Sequence, residues 1–309
     1  MFNVQVLMST YNGEKYISEQ IQSILDQENV NVHLLIRDDG STDKTVEIIN
    51  SFMKKYSDQI MFYAAENIGV KDSFLELLKN SNEMFDYFAF SDQDDYWLPN
   101  KLFAGINYIT NSMEDGPILY CSRTTLVDED LKRLVEWPPV PKRPLKLNNS
   151  LVENVVVGCT MIINIPARKL LIKLRPNTQN IIMHDWWMYL CISAFGRVYF
   201  DKQSNILYRQ HSNNLIGGER SIFKKWSKKF RNVFLKLHNN IRSIQALEFN
   251  SVLNRNKVCF SEIETLTEFN AYVTYSVSKR LKYSFKNKLY RQSKMESVLL
   301  KALLLIARV

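Results

Sequence analysis

The chain of 309 residues has few of the features that mark a specialised structural class. Its four cysteines, Cys121, Cys159, Cys191 and Cys259, include no C-x-x-C pair, so the sequence predicts buried reduced thiols and no zinc site. No run approaches the roughly 18 consecutive apolar residues of a membrane span. Residues 1–8 lack the basic region followed by a long apolar core that a secretory signal requires. These absences favour a globular protein of a reducing compartment.

Charge is unevenly distributed along the chain. The net charge is +8, but residues 219–309 hold 12 Lys and 7 Arg against 6 Glu and no Asp, so residues 1–218 carry a net −5. With the usual 100 to 200 residues per domain, this predicts a large domain over residues 1–218 and a basic helical C-terminal region over residues 219–309. No recognised nucleic-acid-binding module accompanies the basic charge, so nucleic acid is not a predicted partner.

Short β-rich runs alternate with helical patterns in the first hundred residues, which predicts an α/β fold with a mostly parallel central sheet flanked by helices. The predicted strands run from Val4 to Met8, Val32 to Ile36, Ile60 to Ala64, Asp86 to Phe90, Ile118 to Cys121, Val155 to Ile163, Val198 to Phe200 and Ile206 to Tyr208. The predicted helices cover residues 14–27, 72–80, 101–111 and 184–195. Ser41 or Thr42 can cap the helix after the second strand.

Polar segments follow several predicted strands. They are residues 9–13, 38–41, 67–70 and 92–95, and residues 184–187 and 208–211 come later in the chain. In open α/β sheets, ligands bind outside the carboxyl ends of the strands. Two acids spaced D-x-D, such as Asp92 and Asp94, can share a divalent cation that holds a diphosphate. An isolated D-x-D is more often a solvated turn, so the order of the segments has to decide.

In this order the segments resemble the family 2 glycosyltransferases, which are inverting enzymes of the GT-A fold that use nucleotide-diphosphate sugars. The resemblance covers about residues 1–218. Within that family the chain is most similar to bacterial rhamnosyltransferases of cell-wall polysaccharide assembly, through residues 7–14, 36–41, 90–95 and 183–186. The resemblance implies a divalent metal, Mn²⁺ or Mg²⁺, and a nucleotide-diphosphate sugar donor, with dTDP-rhamnose leading. It also implies a lipid-linked glycan acceptor at the cytoplasmic leaflet.

The predicted metal ligands are Asp92, Asp94 and His211. A bound metal would offset, as a Lewis acid, the charge that gathers on the leaving diphosphate. Asp94 lies at the family's second D-x-D acid and is the predicted direct ligand, while Asp92 can reach the metal or the ribose. Asp95 is expected to support these ligands without contacting the metal directly. The resemblance implies that His211 completes the metal site, although a lone histidine after a strand is usually structural.

The predicted donor-binding residues are Thr10, Tyr11, Asp39, Asn67 and Arg209, together with Asp92. A carboxylate at Asp39 can accept the imide N–H of uracil or thymine; the alternative is that it shapes a β-to-α turn. Thr10 and Tyr11 can frame the base or ribose, or form an ordinary loop, and Asn67 is expected in a turn near the nucleotide. Arg209 suits a diphosphate but can equally pair with a local acid.

Inversion by single displacement needs a general base on the acceptor hydroxyl, and Asp185 is the predicted one. Its neighbours Trp186 and Trp187 would desolvate it and raise its basicity. They can also stack on a sugar ring, although paired tryptophans are more often core. Gly158 is expected on the acceptor side, where it would permit close approach. Related enzymes often carry a second glycine at the position of Cys159, so their acceptor details do not transfer.

The basic C-terminal region has the composition of amphipathic membrane-surface helices. The sequence therefore predicts a cytoplasmic protein that is peripheral on the inner face of the cell membrane. The alternatives are a helical cap on the catalytic domain or a homodimer interface.

Three other functions are alternatives to rhamnosyl transfer. A UDP-galactose or UDP-glucose transferase is the nearest. A nucleotidyltransferase normally needs a Gly-rich phosphate loop with a basic residue, which residues 9–13 do not provide. A non-catalytic membrane scaffold would not require Asp94, Asp185 and His211 together.

Overall fold

A computed structural model describes residues 1–112, 115–211, 241–259, 261–307 and 309. The strands are β1 (Phe2–Thr10), β2 (Val30–Asp38), β3 (Ile60–Ala64), β4 (Tyr87–Ser91), β5 (Tyr96–Trp97), β6 (Ile118–Val127), β7 (Arg133–Trp137), β8 (Ile162–Asn164) and β9 (Arg197–Arg209). The helices are α1 (Ile17–Leu25), α2 (Thr45–Lys55), α3 (Val70–Asn80), α4 (Lys101–Thr110), α5 (Leu147–Ser150), α6 (Ile165–Lys173), α7 (His184–Phe195), α8 (Ile241–Arg255), α9 (Ile263–Ala271), α10 (Val277–Lys286) and α11 (Lys294–Leu305). Within the described ranges, every helix is too short or too polar to cross a membrane.

The described chain divides into two compact units. The first contains residues 1–140, 155–173 and 183–209, and the second contains residues 141–154, 174–182 and the described part of 210–309. The predicted boundary between residues 218 and 219 lies outside the described residues.

The first unit is built on one sheet, which has nine strands in the described part of the chain. Their order is β3-β2-β1-β4-β8-β6-β9-β5, with β7 beside β6. The strands β3, β2, β1 and β4 pair in parallel. Next to them, β8 is antiparallel to both β4 and β6, while β6 and β9 are again parallel. The predicted α/β fold with a largely parallel central sheet is confirmed.

Helices cover both faces of this sheet because successive strand residues point in opposite directions. Val6 and Ala89 are register partners on β1 and β4, and both belong to a core shared with α1, α2 and α4. The next pair, Leu7 and Phe90, faces the other way, and the Phe90 ring lies 6.1 Å from that of Phe74 on α3. Burying a side chain of this size stabilises the fold by about 1.5 to 3 kcal/mol.

The strand predicted from Val155 to Ile163 is wrong for most of its length. Residues Gly158–Thr160 form a turn of 3₁₀ helix, and strand pairing begins at Ile162. The turn closes because the amide and the hydroxyl of Thr160 both donate to the Val157 carbonyl, at 2.9 and 2.7 Å. A local side-chain bond of this kind competes with strand pairing.

Elsewhere the strand predictions were incomplete. The two strands predicted near Val198 and Ile206 are one continuous strand, β9, which stays paired with β6 across two register shifts. Two short strands, β5 and β7, and the helix α6 were not predicted.

The helix after β2 begins later than predicted. Its first residue is Thr45, whose amide donates to the Asp43 carboxylate at 2.9 Å. Neither Ser41 nor Thr42 caps it, because the Ser41 hydroxyl donates instead to Asp38. The residues around Ser41 therefore form a structured loop at the end of β2.

The second unit contains α5 and α8 to α11. Glu248 of α8 is buried and accepts hydrogen bonds from the Asn177 amide and the Asn180 side chain, both at 2.8 Å. Since a buried carboxylate is costly without partners, these two bonds hold residues 174–182 against α8.

Candidate active site

The four parallel strands end side by side. Their last residues are Thr10, Asp38, Ala64 and Ser91. The predicted donor and metal residues Tyr11, Asp39, Asn67 and Asp92 follow those ends by one to three positions. This is the edge at which an open α/β sheet binds its ligands.

Asp38 holds the loop after β2. Its carboxylate accepts from the Thr10 and Ser41 hydroxyls, at 2.9 and 2.5 Å, and from the Gly40 and Ser41 amides, at 3.1 and 2.7 Å. Four hydrogen bonds use the whole acceptor capacity of a carboxylate. Thr10 is therefore buried as a partner of Asp38.

Asp39 is also buried but retains some acceptor capacity. It forms an ion pair with Arg37 and accepts from the Ile68 and Gly69 amides, each at 2.9 Å. These bonds occupy three of its roughly four acceptor positions. Asn67 lies in the same turn, where its side chain accepts from the Gly69 amide at 3.2 Å. The position left on Asp39 is compatible with the predicted imide contact, which stays a prediction.

Gln93 joins the loop after β1 to the acidic segment. Its amide oxygen accepts from the Tyr11 amide and its amide nitrogen donates to the Tyr11 carbonyl, both at 2.9 Å. The Tyr11 side chain stays exposed. The Gln93 side chain and the Tyr11 backbone therefore fix the two loops to each other, which leaves the Tyr11 ring available to a ligand.

Asp92, Asp94 and Asp95 form a carboxylate cluster after β4. Burial raises the pKa of Asp92 to about 7, with further contributions from the charges of Asp94 and Asp185. Burial also raises the pKa of Asp95 well above its usual range, and the charges of Asp94 and Asp92 add to the effect. The Asp95 Oδ2 atom has no hydrogen-bond partner among the described residues. The negative charge here is incompletely offset by protein groups.

The carboxylate cluster fits a divalent cation. One ligand atom each from Asp92, Asp95 and Cys159 lies within 4.8 Å of the others. Burial, followed by the charges of Asp95 and Asp92, raises the pKa of the Cys159 thiol and keeps it protonated. Since Mn²⁺ and Mg²⁺ prefer oxygen ligands, the carboxylates suit them better than the thiol. Asp94, the predicted direct ligand, is outside this group of three atoms but close enough for its charge to act on Asp92.

Arg209 stabilises this region from the protein side. Its guanidinium is buried, pairs with Glu19, and donates to the Glu129 carbonyl and, at 3.0 Å, to the Asp94 carbonyl. It also lies 4.4 Å from the centroid of the Tyr16 ring. The local ion pair, which was the alternative to a diphosphate contact, is the arrangement in this structure. The predicted donor contact of Arg209 gains no support from it.

Asp185 lies in the first turn of α7 and acts electrostatically on Asp92. Gly158 packs against the start of the same helix, because a Cβ atom there would lie 3.2 Å from His184 Nε2 and 3.7 Å from Asp185 Cβ. The close approach predicted for Gly158 is therefore made to α7. The predicted base, the predicted acceptor-side glycine and the carboxylate cluster lie in one region of the first unit.

The paired tryptophans differ in exposure. Trp187 is completely buried, and Trp186 is nearly so. Trp187 offers no surface to a sugar in this structure and serves as core, while a contact by Trp186 stays a prediction. His211 belongs to the second unit, and its role as a metal ligand likewise stays a prediction.

Two side chains near the cluster were not predicted as site residues. The pKa of the Tyr208 hydroxyl is raised by burial and then by the Asp92 charge, so this residue of β9 lies beside the carboxylates. Lys101 is buried with its ammonium nitrogen 3.4 Å from the centroid of the Trp97 ring, and burial lowers its pKa to about 7. Tyr208 immediately precedes Arg209, which is a predicted site residue, so its position gave a sequence signal. A buried lysine at the start of a helix gives no such signal.

An open cavity of about 620 Å³ is lined in part by Tyr96 and Arg209, but its lining does not include Asp92, Asp94 or Asp95. Its lining includes Lys15, Glu19, Glu129 and Arg209, whose charges already form the pairs Lys15–Glu129 and Arg209–Glu19. It is less suited to an anionic donor than the carboxyl edge of the sheet.

Solved structures share this fold. The S. aureus TarS fragment 1–349 in complex with UDP superposes with a TM-score of 0.52 at 17% identity, covering 91% of this chain and 78% of that one. GalNAc-T7 with UDP, GalNAc and Mn²⁺ gives a TM-score of 0.54 at 11% identity, covering 89% and 58%. The first unit therefore has the GT-A fold of nucleotide-sugar glycosyltransferases.

Sequence comparison gives the family. The family model described as "Glycosyl transferase family 2" matches residues 5–171. The dTDP-rhamnosyl transferase RfbG of Shigella flexneri is 32% identical over 239 residues, which is 72% of this chain and 77% of that protein. An uncharacterised glycosyltransferase of Rickettsia typhi is 30% identical over 213 residues, 67% of this chain and 64% of that protein. The chain belongs to glycosyl transferase family 2, as the resemblance predicted.

Proposed function

We propose that the protein transfers L-rhamnose from dTDP-rhamnose to a lipid-linked precursor of a cell-surface polysaccharide, with inversion at the sugar. One observation carries the chemistry: the charge of Asp185 acts on Asp92 inside the carboxylate cluster. A group able to take a proton therefore lies close to groups able to hold a metal-bound diphosphate. The choice of rhamnose rests on the name of the Shigella relative.

A UDP-sugar donor, carrying galactose or glucose, is the second candidate. Uracil and thymine offer the same imide N–H to a carboxylate, so Asp39 would accept either base. The TarS structures with UDP and UDP-GlcNAc illustrate such donors on the same fold.

Asp92 and Asp94 would hold Mn²⁺ or Mg²⁺, and Asp95 would support them from the buried side. The bound metal would supply Lewis-acid stabilisation of the leaving diphosphate. Tyr11, held by Gln93, would border the nucleotide through its exposed ring.

Asp185 would accept the proton of the acceptor hydroxyl as the oxygen attacks the anomeric carbon, on the face opposite the leaving group. Two features would fix its position: the packing of Gly158 on the start of α7 and the hydrogen bond from the Trp186 amide to its Oδ1 atom, at 2.6 Å. A lipid-linked acceptor would be met at the cytoplasmic face of the membrane, where a basic C-terminal region is attracted to anionic lipid.

A donor panel tests the substrate. Hydrolysis of dTDP-rhamnose, UDP-galactose and UDP-glucose is followed by release of the nucleoside diphosphate, with Mn²⁺, with Mg²⁺ and with a chelator. We expect dTDP-rhamnose to react fastest and the chelator to stop the reaction. A faster UDP-sugar would replace the donor assignment and leave the enzyme class intact.

Asp185→Asn tests the base. Donor binding, measured by thermal stabilisation, should persist, while transfer of labelled sugar to acceptor in a membrane fraction should fall about 10²- to 10⁴-fold. Asp58→Asn is the matched control, because Asp58 is exposed just before the amino end of β3. Substantial transfer by Asp185→Asn would remove Asp185 as the base.

A further inference from the structure

The helices α10 and α11 pack together within the second unit. The Arg280 guanidinium of α10 donates to the Leu305 carbonyl of α11 at 3.2 Å. Their inner side chains, including Tyr283, Leu300 and Leu304, are buried. The sequence pattern left open which of the C-terminal apolar residues form core, and here Leu300 and Leu304 do.

The outer sides of the same two helices are also apolar. Val277, Leu281 and Phe285 follow one another at intervals of four residues along α10, which places them on one line of the helix. Val277 is 71% exposed and Phe285 is 67% exposed.

On α11 the outward residues are Met295, Val298 and Leu299, and Met295 is 82% exposed and Val298 68%. The Lys301 ammonium, one turn beyond Val298, lies 5.7 Å from the centroid of the Phe285 ring. The two apolar lines are therefore neighbours. Single exposed apolar residues are normal, but a continuous set on two adjacent helices indicates a binding surface.

The segment that carries this apolar face, which is defined by Val277, Leu281, Phe285, Met295, Val298 and Leu299, is basic. Residues 277–307 contain six Lys and two Arg against a single acid, Glu296. The side chains of Lys282 and Lys286 are exposed and each lies one position after a member of the apolar line, about 100° around the helix. Glu296 lies 3.5 Å from Arg291, a buried residue that also lies 3.5 Å from Glu153.

We propose that this apolar face of α10 and α11 docks on a membrane surface that contains anionic lipid. Short amphipathic helices lie in the plane of the interface, with apolar side chains in the acyl boundary and lysines extended to the headgroups. A second copy of the chain fits less well, because two surfaces with this excess of positive charge would repel each other. The proposal deepens the proposed function, on which it rests for its purpose of bringing the enzyme to a lipid-linked acceptor.

The test uses the full chain and sedimentation with two kinds of vesicle, phosphatidylcholine mixed with phosphatidylglycerol and phosphatidylcholine alone. The wild type should bind the anionic vesicles at least tenfold more tightly than the neutral ones. The variant Val277→Ser, Phe285→Ser, Val298→Ser should lose at least tenfold in affinity for the anionic vesicles. The control Met61→Ser, Met84→Ser changes exposed apolar residues of the first unit, 63% and 82% exposed, and should bind like the wild type.

A second variant, Lys282→Gln with Lys286→Gln, keeps the apolar face and should bind anionic vesicles several-fold more weakly. Unchanged binding by the serine variant, or equal binding of the wild type to both vesicles, would overturn the proposal. So would a dimer, seen by sedimentation velocity without vesicles, that the serine substitutions abolish. Donor hydrolysis by the wild type, measured without vesicles, separates the membrane proposal from the proposed function. Absence of hydrolysis would refute the proposed function and would not bear on vesicle binding.

Discussion

Two acidic loops flank the end of β1, and they differ in how their charges are stabilised. At the end of β2, Asp38 accepts four hydrogen bonds from the loop that follows it and from β1. After β4, burial and neighbouring charges raise the pKa of Asp92 to about 7, and Asp95 Oδ2 has no hydrogen-bond partner in the described part of the chain. Both loops are acidic: residues 38–41 hold two acids and residues 92–95 hold three. Incomplete compensation of charge, rather than acidity, distinguishes the loop that can take a cation from the loop that builds structure.

The largest effect should come from Asp94→Ala in the loop after β4. Metal-dependent donor hydrolysis should fall about 10³-fold, because Lewis-acid stabilisation of a leaving group contributes several kcal/mol. The midpoint of urea unfolding should change little, because Asp94 is only partly buried. Asp58→Ala is the control. Intact metal-dependent hydrolysis would show that the two loops do not differ as proposed.

Asp38→Ala, by contrast, should mainly destabilise the fold. It leaves two amides and two hydroxyls without their acceptor, and the free energy of unfolding should fall by about 3 kcal/mol. Urea denaturation measures this change, and the exposed Asp58→Ala should remain within about 0.5 kcal/mol of the wild type. A loss below about 1 kcal/mol would mean that water replaces these bonds and that Asp38 is not structural.

His184 tests whether burial alone can shift a pKa in this region. Burial lowers its pKa to about 3, and neither ring nitrogen has a hydrogen-bond partner among the described residues. The unfolded chain therefore binds a proton first as the pH falls below about 6.5, and stability is lost from there towards pH 3.

Between pH 7 and pH 5 this histidine should account for about 2 kcal/mol of lost stability. His184→Gln should show a correspondingly smaller loss when urea unfolding is followed by fluorescence at both pH values. If the variant lost as much stability as the wild type, another group would be responsible.

The smallest effect should be stabilisation by the metal itself. Mn²⁺ at ten times its dissociation constant would add about 1.4 kcal/mol, a rise of a few degrees in Tm. Asp94→Ala should show no rise and Asp38→Asn, if folded, should retain it. Equal stabilisation of the wild type and Asp94→Ala would locate the metal elsewhere.

The sequence predicted much of the fold because its signals were local. The strand from Ile60 to Ala64 and the helix over residues 184–195 were predicted with their observed bounds, since both are clear apolar runs between polar breaks. The prediction of a strand from Val155 was wrong because the Thr160 hydroxyl closes a turn by donating to the Val157 carbonyl. That bond depends on side-chain geometry that periodicity does not encode.

The sequence predicted which segments form the candidate site better than it predicted what each residue in them does. Asp92 and Asp185 are predicted from separate parts of the chain, and in the structure the charge of Asp185 acts on Asp92. Arg209 was uncertain because its partner Glu19 lies 190 residues away, and only the fold shows that the guanidinium is already paired. Lys101 was missed because nothing in sequence distinguishes a buried lysine from an exposed one.

Gln93 is the middle residue of the D-x-D segment, and its side chain is hydrogen-bonded to both backbone groups of Tyr11. Gln93 thus links the loop that would border the nucleotide to the loop that would hold the cation. Neither loop can shift alone without breaking two hydrogen bonds, so a ligand that moved one loop would also displace the other.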